Sequence, residues 1–309
     1  MNARNGSPQA ANHAADRHSR AGFTFGLAAY GLWGVLPLYF KALRHIPAID
    51  IVAHRVLWSL PFLAALIALA KGWSNVREAI TRPKTIGMLT LTALLIGGNW
   101  LLYVYAVTSG HILAASFGYY LNPLANVLLG RFVLKERLGP LQWTAVAVAA
   151  AGISVLAAGA LGQLWISLTL CVSFALYGLL RKIVPADAIT GLGIETGLLL
   201  PLALLWLGWR LAAGAPILGT TAADTGLLLV AGIVSTTPLL LFTAAAKRLQ
   251  YSTLGMLQFI APTLQFLIGV WYGEPFTSAH AIAFSAIWIA VALYVTAFLR
   301  TPRLPQAPE

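Results

Sequence analysis

Cysteine is nearly missing from this sequence. Among 309 residues Cys171 stands alone, so neither an intrachain disulfide nor a thiolate metal site can be assembled. Charge is scarce as well. Charged residues make up 9% of the chain, against about 25% in soluble domains, and that deficit excludes a water-soluble core protein. Acids are the scarcest of all, with nine Asp and Glu against 20 Lys and Arg and a formal net charge of +11. The excess does not mark a nucleic-acid binder, because such a footprint needs basic residues gathered on one soluble face. Here they are spread through short breaks between apolar runs. No phosphate-cradling glycine loop, nucleophile elbow or zinc-protease motif occurs. The six histidines are scattered, none with a metal partner at helical spacing. There is no room for a nucleotide-binding domain, which excludes an ATP-driven pump. No cofactor, metal or nucleic-acid partner is expected.

What the chain has in abundance is apolar length. Hydrophobic residues are 59% of it, and the mean hydropathy is +0.79. Apolar stretches of about 20 residues recur, the length that crosses ~30 Å of hydrocarbon. They lie near 22–41, 49–70, 86–108, 111–133, 141–160, 164–181, 190–209, 226–246, 251–272 and 278–299. This predicts an all-α polytopic membrane protein with ten transmembrane helices, lipid being its constant partner. Residues 1–21 are polar, lack a signal-peptide apolar region and read as a disordered tail; residues 300–309 read as a second tail. Of the 20 Lys and Arg, 16 fall in the tails or in the breaks after even-numbered spans, and only Lys41, Arg44, Arg55 and Arg210 fall towards the other side. The positive-inside rule then makes both termini cytoplasmic. Trp73, Trp143, Trp165, Trp209 and Trp271 sit near span ends, as interfacial anchors do.

The chain is also doubled. "SFGYYLNPLANVLLGRFVLKE" (116–136) parallels "TLGMLQFIAPTLQFLIGVWYGE" (253–274). Pro123 precedes Gly130 by seven residues, as Pro262 precedes Gly269, and Asn126 and Gln265 each follow their proline by three. "HRVLWSLP" in the second span parallels "IETGLLLP" in the seventh, with Arg55 and Glu195 each six residues before a proline. The halves are roughly 22–160 and 163–299, and five spans each makes them enter the membrane in opposite senses. Such a five-plus-five inverted repeat is common in secondary transporters. The prolines and glycines are read as helix-bend positions, where a carbonyl is freed and a neighbouring helix can approach.

Over nearly its full length the sequence resembles the EamA-type drug/metabolite transporter superfamily, and within it the RarD group. The resemblance is carried by "AAYGLWGVLPLYFKAL", "HRVLWS", "IGGNWLLYVYAV", "ASFGYYLNPLANVLLG", "ERLGPLQWTAVAVA", "IVSTTPLLLFTAAAKRL" and "STLGMLQFIAPTLQFLIGVWYGE". It implies a five-plus-five inverted repeat working by alternating access. It also implies a central cavity between helices one, three, four, six, eight and nine, and a small-molecule cargo that the family does not fix. It brings with it a label of chloramphenicol sensitivity.

Arg55 and Glu195 are the ionisable residues best placed within spans. Each lies about 8–9 Å deep at 1.5 Å per residue, on opposite sides, which leaves about 12 Å between their levels in ~30 Å of hydrocarbon. They read as separate charges with coupling or gating roles, one facing each vestibule, or alternatively as groups that snorkel or hold helix ends. Arg55 suits an anionic group, and Glu195 is the candidate to carry a coupling proton. Asn99 and Tyr103 share a face of the third span, Tyr119, Asn122 and Asn126 of the fourth, and Gln258 and Gln265 of the ninth; Thr236 and Thr237 precede Pro238 in the eighth. These side chains line a cargo cavity or serve as hydrogen-bonding links between helices. Trp33 and Tyr177, at matched positions, either wall that cavity or pack in the core. Glu136 and Glu274 read as fixing turns at the membrane surface. The expected function is a gradient- or exchange-driven secondary transporter of small metabolites or drug-like molecules in a bacterial inner membrane, working as an exporter. The alternatives are a membrane scaffold without transport and a membrane-embedded enzyme, the latter disfavoured because ionisable groups are scattered.

Overall fold

The computed structural model describes the backbone of residues 8–109, 111–157, 162, 164–272 and 278–300. Side chains are described within these stretches from residue 19 onward, except at 107, 108, 112–116, 157, 298 and 299. Glu274, residues 301–309 and most of the junction between the expected halves lie outside the described residues. The elements are α1 (Pro8–Ala42), α2 (Ala48–Leu69), α3 (Trp73–Thr81), α4 (Pro83–Thr108), α5 (Ile112–Phe132), α6 (Pro140–Ala157), α7 (Leu164–Ile183), α8 (Ala188–Ala212), α9 (Ala222–Ala246), α10 (Tyr251–Leu257), α11 (Ile260–Trp271) and α12 (Ser278–Arg300). Among the described residues, eight helices are long and apolar enough to cross a membrane. They are α1 from Ser19, α2, α4, α7, α8, α9, the α10–α11 pair and α12, while α6 supplies a shorter apolar helix.

Local chemistry sets the boundaries. α2 ends at Lys71 in the left-handed region, φ 53°, followed by Gly72. α3 ends at Arg82, which is extended because Pro83 follows it. The expected spans leave 71–85 as a break, yet nine of its residues form α3, whose Ala79 and Val76 pack on Leu89, Val184 and Ile194. α1 likewise starts at Pro8, so its helical backbone runs through much of the expected disordered tail; Ala10, Ala11, Ala14 and Ala15 are strong helix formers. Pro262 breaks the ninth apolar run. It has no N–H for the Gln258 carbonyl, and the ladder tightens there, with Gln258 N bonding Gly255 O at 3.0 Å and Ala261 N bonding Gln258 O at 3.2 Å. Pro123 sits inside an uninterrupted α5.

The principal packings are α6 on α12, α2 on α8 and α9, α1 on α9 and α11, α7 on α4 and α5, and α5 on α10. Two ends can be told apart by their ties. At the α1–α2 turn, Tyr39 donates to Leu227 O at 2.8 Å, His45 meets Asp224 at 2.9 Å, and Asp50 takes Arg210 at 2.9 Å and Trp206 Nε1 at 2.8 Å. Trp58 Nε1 donates to His54 Nδ1 at 3.2 Å, so the proton of that ring is on Nε2, which donates to Ile217 O at 2.6 Å. At the α7–α8 turn, Lys182 Nζ donates to Ala246 O at 2.8 Å and to Leu249 O, while Lys247 Nζ donates back to Val184 O at 2.8 Å. Each lysine thus satisfies the orphan carbonyls that end the other's helix.

Candidate functional site

Arg55, half-buried, is the centre of a polar and aromatic cluster towards the α1–α2 end. Its Nε donates to Ser235 Oγ at 2.7 Å, which fixes the guanidinium between α2 and α9. The guanidinium carbon lies 4.4 Å from the centre of the Trp100 ring and 5.9 Å from that of Phe40, within the range of cation–π attraction. Tyr39, Tyr103 and Tyr119 bring three phenols close enough to act on its charge. Helices α1, α2, α4, α5 and α9 therefore converge on one cation. Among the described residues the terminal nitrogens Nη1 and Nη2 find no hydrogen-bond partner, and both keep some exposed surface. Among the described residues no acid pairs with Arg55: Asp50 is held by Arg210 and Trp206, and Asp224 by His45.

Beside this cluster, Asn99 is buried and acts as a link. Its Nδ2 donates to Leu170 O at 3.0 Å and to Ser173 Oγ at 2.9 Å, and its Oδ1 accepts from Tyr119 at 3.4 Å. The Tyr103 and Tyr119 rings stand 5.7 Å apart, with Tyr103 38% exposed. Below them lies an aromatic cluster from α1, α7 and α9. Trp33 meets Phe174 at 5.9 Å and Phe242 at 5.6 Å, and Tyr177 stacks on Phe242 at 6.4 Å. Trp33 is half-buried and keeps an open face, whereas Tyr177 is fully buried and walls no cavity in this conformation.

Glu195 does not face a vestibule. It is 1% exposed, its Oε1 accepts from Thr92 at 2.6 Å and its Oε2 from Tyr177 at 3.4 Å. Arg181 Nε lies 3.5 Å from Oε1 in an ion pair too long for a good hydrogen bond. Arg181 is itself 0% exposed, anchored by Nη2 donating to Ala188 O at 3.1 Å, with Nε and Nη1 unbonded. Space for that guanidinium comes from Gly191, where a Cβ would stand 1.9 Å from Nη1. Arg55 and Glu195 are not brought together; Arg55 is half-buried, whereas Glu195 is buried with Arg181. Arg181 was missed because it reads as a positive charge in a polar break; the only sequence signal is a glycine one helical turn before Glu195. Trp100 and Ser235 were missed too, though each adjoins a residue that was singled out.

The remaining candidates divide between closure and packing. Asn126 Nδ2 donates to Gln258 Oε1 at 2.9 Å across α5 and α10, where Gly255 lets the backbones meet: a Cβ there would lie 2.8 Å from Pro123 O. Glu136 closes the same contact, accepting from Tyr251 N at 2.5 Å, Ser252 N at 3.0 Å and Ser252 Oγ at 2.6 Å. Gly130 makes room for it, since a Cβ would lie 2.6 Å from Glu136 Oε2. Thr236 bonds Ser59 Oγ at 2.6 Å, Thr237 bonds its own helix at Ile233 O, and exposed Gln265 donates to Trp33 O at 3.0 Å. Gly269 lies within α11. Asn122 is 0% exposed and neither of its amide atoms has a partner. Among the described residues no group of His, Cys, Asp and Glu could hold a metal.

Residues 20–158 match the EamA-like transporter family. Protein RarD of Salmonella typhi is 43% identical over 296 residues, 93% of this chain and 98% of that one. An uncharacterized transporter of Vibrio cholerae is 45% identical over 278 residues, 89% and 92% of the two chains. A solved crystal structure with 21% identity superposes with a TM-score of 0.72, over 92% of this chain and all of its own; that likeness speaks for the fold alone.

Proposed function

Because this chain belongs to the EamA-like transporter family and, within it, to the RarD group, we propose that it is a secondary transporter. It moves small metabolites or drug-like molecules across the inner membrane by alternating access, as an exporter driven by an ion gradient or by exchange. It is a multi-pass membrane protein. In this reading α5 and α6 join the eight long apolar helices to give ten crossings, in inverted halves of residues 22–160 and 163–299. Helix pairing supports the halving: exchanging them converts α1–α9 into α7–α4, α5–α7 into α11–α1, and α2–α9 into α8–α4. The lysine and arginine bias makes the α7–α8 end and both termini cytoplasmic.

The observation that carries the reading is one-sided closure. The α7–α8 end is tied across the halves by Glu136, the Asn126–Gln258 bond and the crossed lysines, while the α1–α2 end, though tied at its rim by Tyr39, His45 and Asp50, leaves Tyr103 exposed and Arg55 and Trp33 partly so. A transporter caught open to one side has this asymmetry. Asn122 supports it as well. A buried amide with no partner costs roughly 1–3 kcal/mol per unmade bond, a cost relieved if the sealed end opens and cargo or water reaches it. Glu195, with Thr92 and Tyr177, remains the candidate coupling site, opened when Arg181 moves.

The test is solute movement by purified protein in proteoliposomes, with labelled amino acids, nucleobases and amphenicols. Saturable uphill movement of one of them supports the reading. A protein that binds one and moves none is a scaffold instead. On a Cys171→Ala background, a cysteine replacing Ser252 should react with an inner-side thiol reagent faster when cargo is cycling.

A further inference from the structure

Among the described residues Arg55 differs from Arg181 and Arg210, which also lie within the apolar helices, in having no acid partner. Arg181 is matched by Glu195 and Arg210 by Asp50. The missing partner is not made good among the described residues, because Ser235 satisfies Nε alone and leaves both terminal nitrogens with some exposed surface. A guanidinium cannot shed its charge, and its fork matches two oxygens of one planar anion. Aromatic rings flank it on two sides. Trp100 lies across the cation at 4.4 Å, and the Tyr103–Tyr119 pair, with rings 5.7 Å apart, stands on the adjoining helices. Half-buried Trp33 offers a further apolar face, held by ring contacts to Phe174 at 5.9 Å and Phe242 at 5.6 Å.

We infer that this cluster selects cargo bearing a carboxylate on an apolar or aromatic body, with Arg55 Nη1 and Nη2 holding the two oxygens and the aromatic side chains holding the body. The inference rests on the transporter reading and narrows its substrate class. Two features favour an anion over a neutral or cationic cargo. Of the described acids nearest this end, Asp50 is taken by Arg210 and Asp224 by His45, and neither reaches Arg55, whose charge has no carboxylate partner among the described residues. The Ser235 bond also orients the guanidinium, so little rotamer freedom is left to lose on binding. Tyr119 couples the site to α7 through Asn99, whose other bonds end on Leu170 and Ser173. A ligand drawing on Tyr119 therefore touches the link between two helices that alternating access must move.

The experiment compares matched probes, benzoate with benzamide and indole-3-acetate with indole-3-acetamide. Each is titrated against the thermal unfolding of full-length protein in detergent and in nanodiscs. The expected result is stabilisation of wild type by the carboxylates and not by the amides. Arg55→Gln should weaken carboxylate binding by roughly ten- to a hundredfold, the worth of a charge-assisted pair. Arg55→Lys should keep part of it, which guards against a variant that has merely lost its fold. Equal effects of acid and amide, no effect of either acid, or full binding by Arg55→Gln would overturn the inference. Loss of the carboxylate effect in anionic-lipid but not zwitterionic nanodiscs would assign Arg55 to a lipid phosphate and overturn it too. Transport of a neutral cargo untouched by Arg55→Gln overturns the inference and spares the transporter reading. Carboxylate binding at Arg55 with no movement across proteoliposomes does the reverse.

Discussion

Replacing Glu195 with glutamine should cost the protein about 3 kcal/mol. Removing one partner of a buried ion pair typically costs about 3–5 kcal/mol, because the other charge is left uncompensated. Here the other charge is Arg181, 0% exposed, with two of its three nitrogens making no hydrogen bond. Only the Ala188 carbonyl, at 3.1 Å, and the carboxylate of Glu195, at 3.5 Å, offset its desolvation. A glutamine amide keeps one acceptor oxygen, enough to hold the shorter bond from Thr92, while its NH2 turns to the Tyr177 hydroxyl as a donor. With one bond kept and the weaker one reversed, the loss sits at the lower end of the range. Removing both charges, Glu195→Gln with Arg181→Met, should restore most of the stability, since an apolar side chain of similar volume needs no counter-charge. The assay is a double-mutant cycle on purified protein unfolded in mixed detergent micelles. The two changes should be non-additive by at least about 2 kcal/mol. If Glu195→Gln unfolds like wild type, or if the two changes simply add, the pair does not hold α7 to α8 as argued. Transport by the same variant tests the coupling role, which fails if uphill movement and its pH dependence are both unchanged.

Gly191→Ala should destabilise by about 1–3 kcal/mol, the usual cost of overpacking, because its methyl would stand 1.9 Å from Arg181 Nη1; thermal unfolding reads it, and Arg181→Met should rescue it. Glu136→Gln weakens the cap on α10 by about 1–2 kcal/mol, and the α7–α8 end should then open more often, seen as faster thiol labelling of a cysteine at Ser252. Gly232→Ala should be among the most damaging single methyls in the bundle, since the new Cβ would lie 2.2 Å from Trp58 C and 2.4 Å from Ser59 N, backbone atoms that cannot rotate away; loss of folded protein on size-exclusion chromatography checks it. Lys247 sits just past the end of α9, where burial, with the Arg181 charge adding to it, pushes its ammonium down from 10.5 to about 8. Between those values the unfolded chain binds the extra proton, so its contribution makes stability rise with pH, complete above 10.5 and lost as pH falls through 8. Lys247→Met should flatten that part of the stability–pH curve.

The architecture was legible because it depends on chemistry that is local in the chain. Apolar length marks the spans, and lysine and arginine spacing marks the breaks. The interruption at Pro262 needs only a missing N–H. α3 escaped notice because nine residues with Arg77 and Glu78 among them look like a loop, and only packing of Ala79 and Val76 against α4 and α8 makes them a helix worth forming. The candidate site was half legible. Asn99, Tyr103, Tyr119 and Arg55 do gather at one mouth, because polar groups in hydrocarbon turn towards the bundle. Tyr177, Thr236 and Gln258 follow the same rule but are spent on partners inside the bundle.

By itself the sequence determined that this chain crosses a membrane repeatedly, that it carries a repeated pattern, and that a few polar side chains must face inward. Those are consequences of transfer free energy and periodicity, which each segment bears alone. Which arginine is neutralised and which is left free was decided only by the tertiary structure. Arg181 and Arg55 read alike in the chain, as single charges in or beside apolar runs. One finds Glu195 across a gap kept open by Gly191, while the other finds Ser235 and Trp100 and no acid among the described residues. An ion pair is a matter of a few ångströms between helices far apart in sequence, and no local pattern encodes that distance.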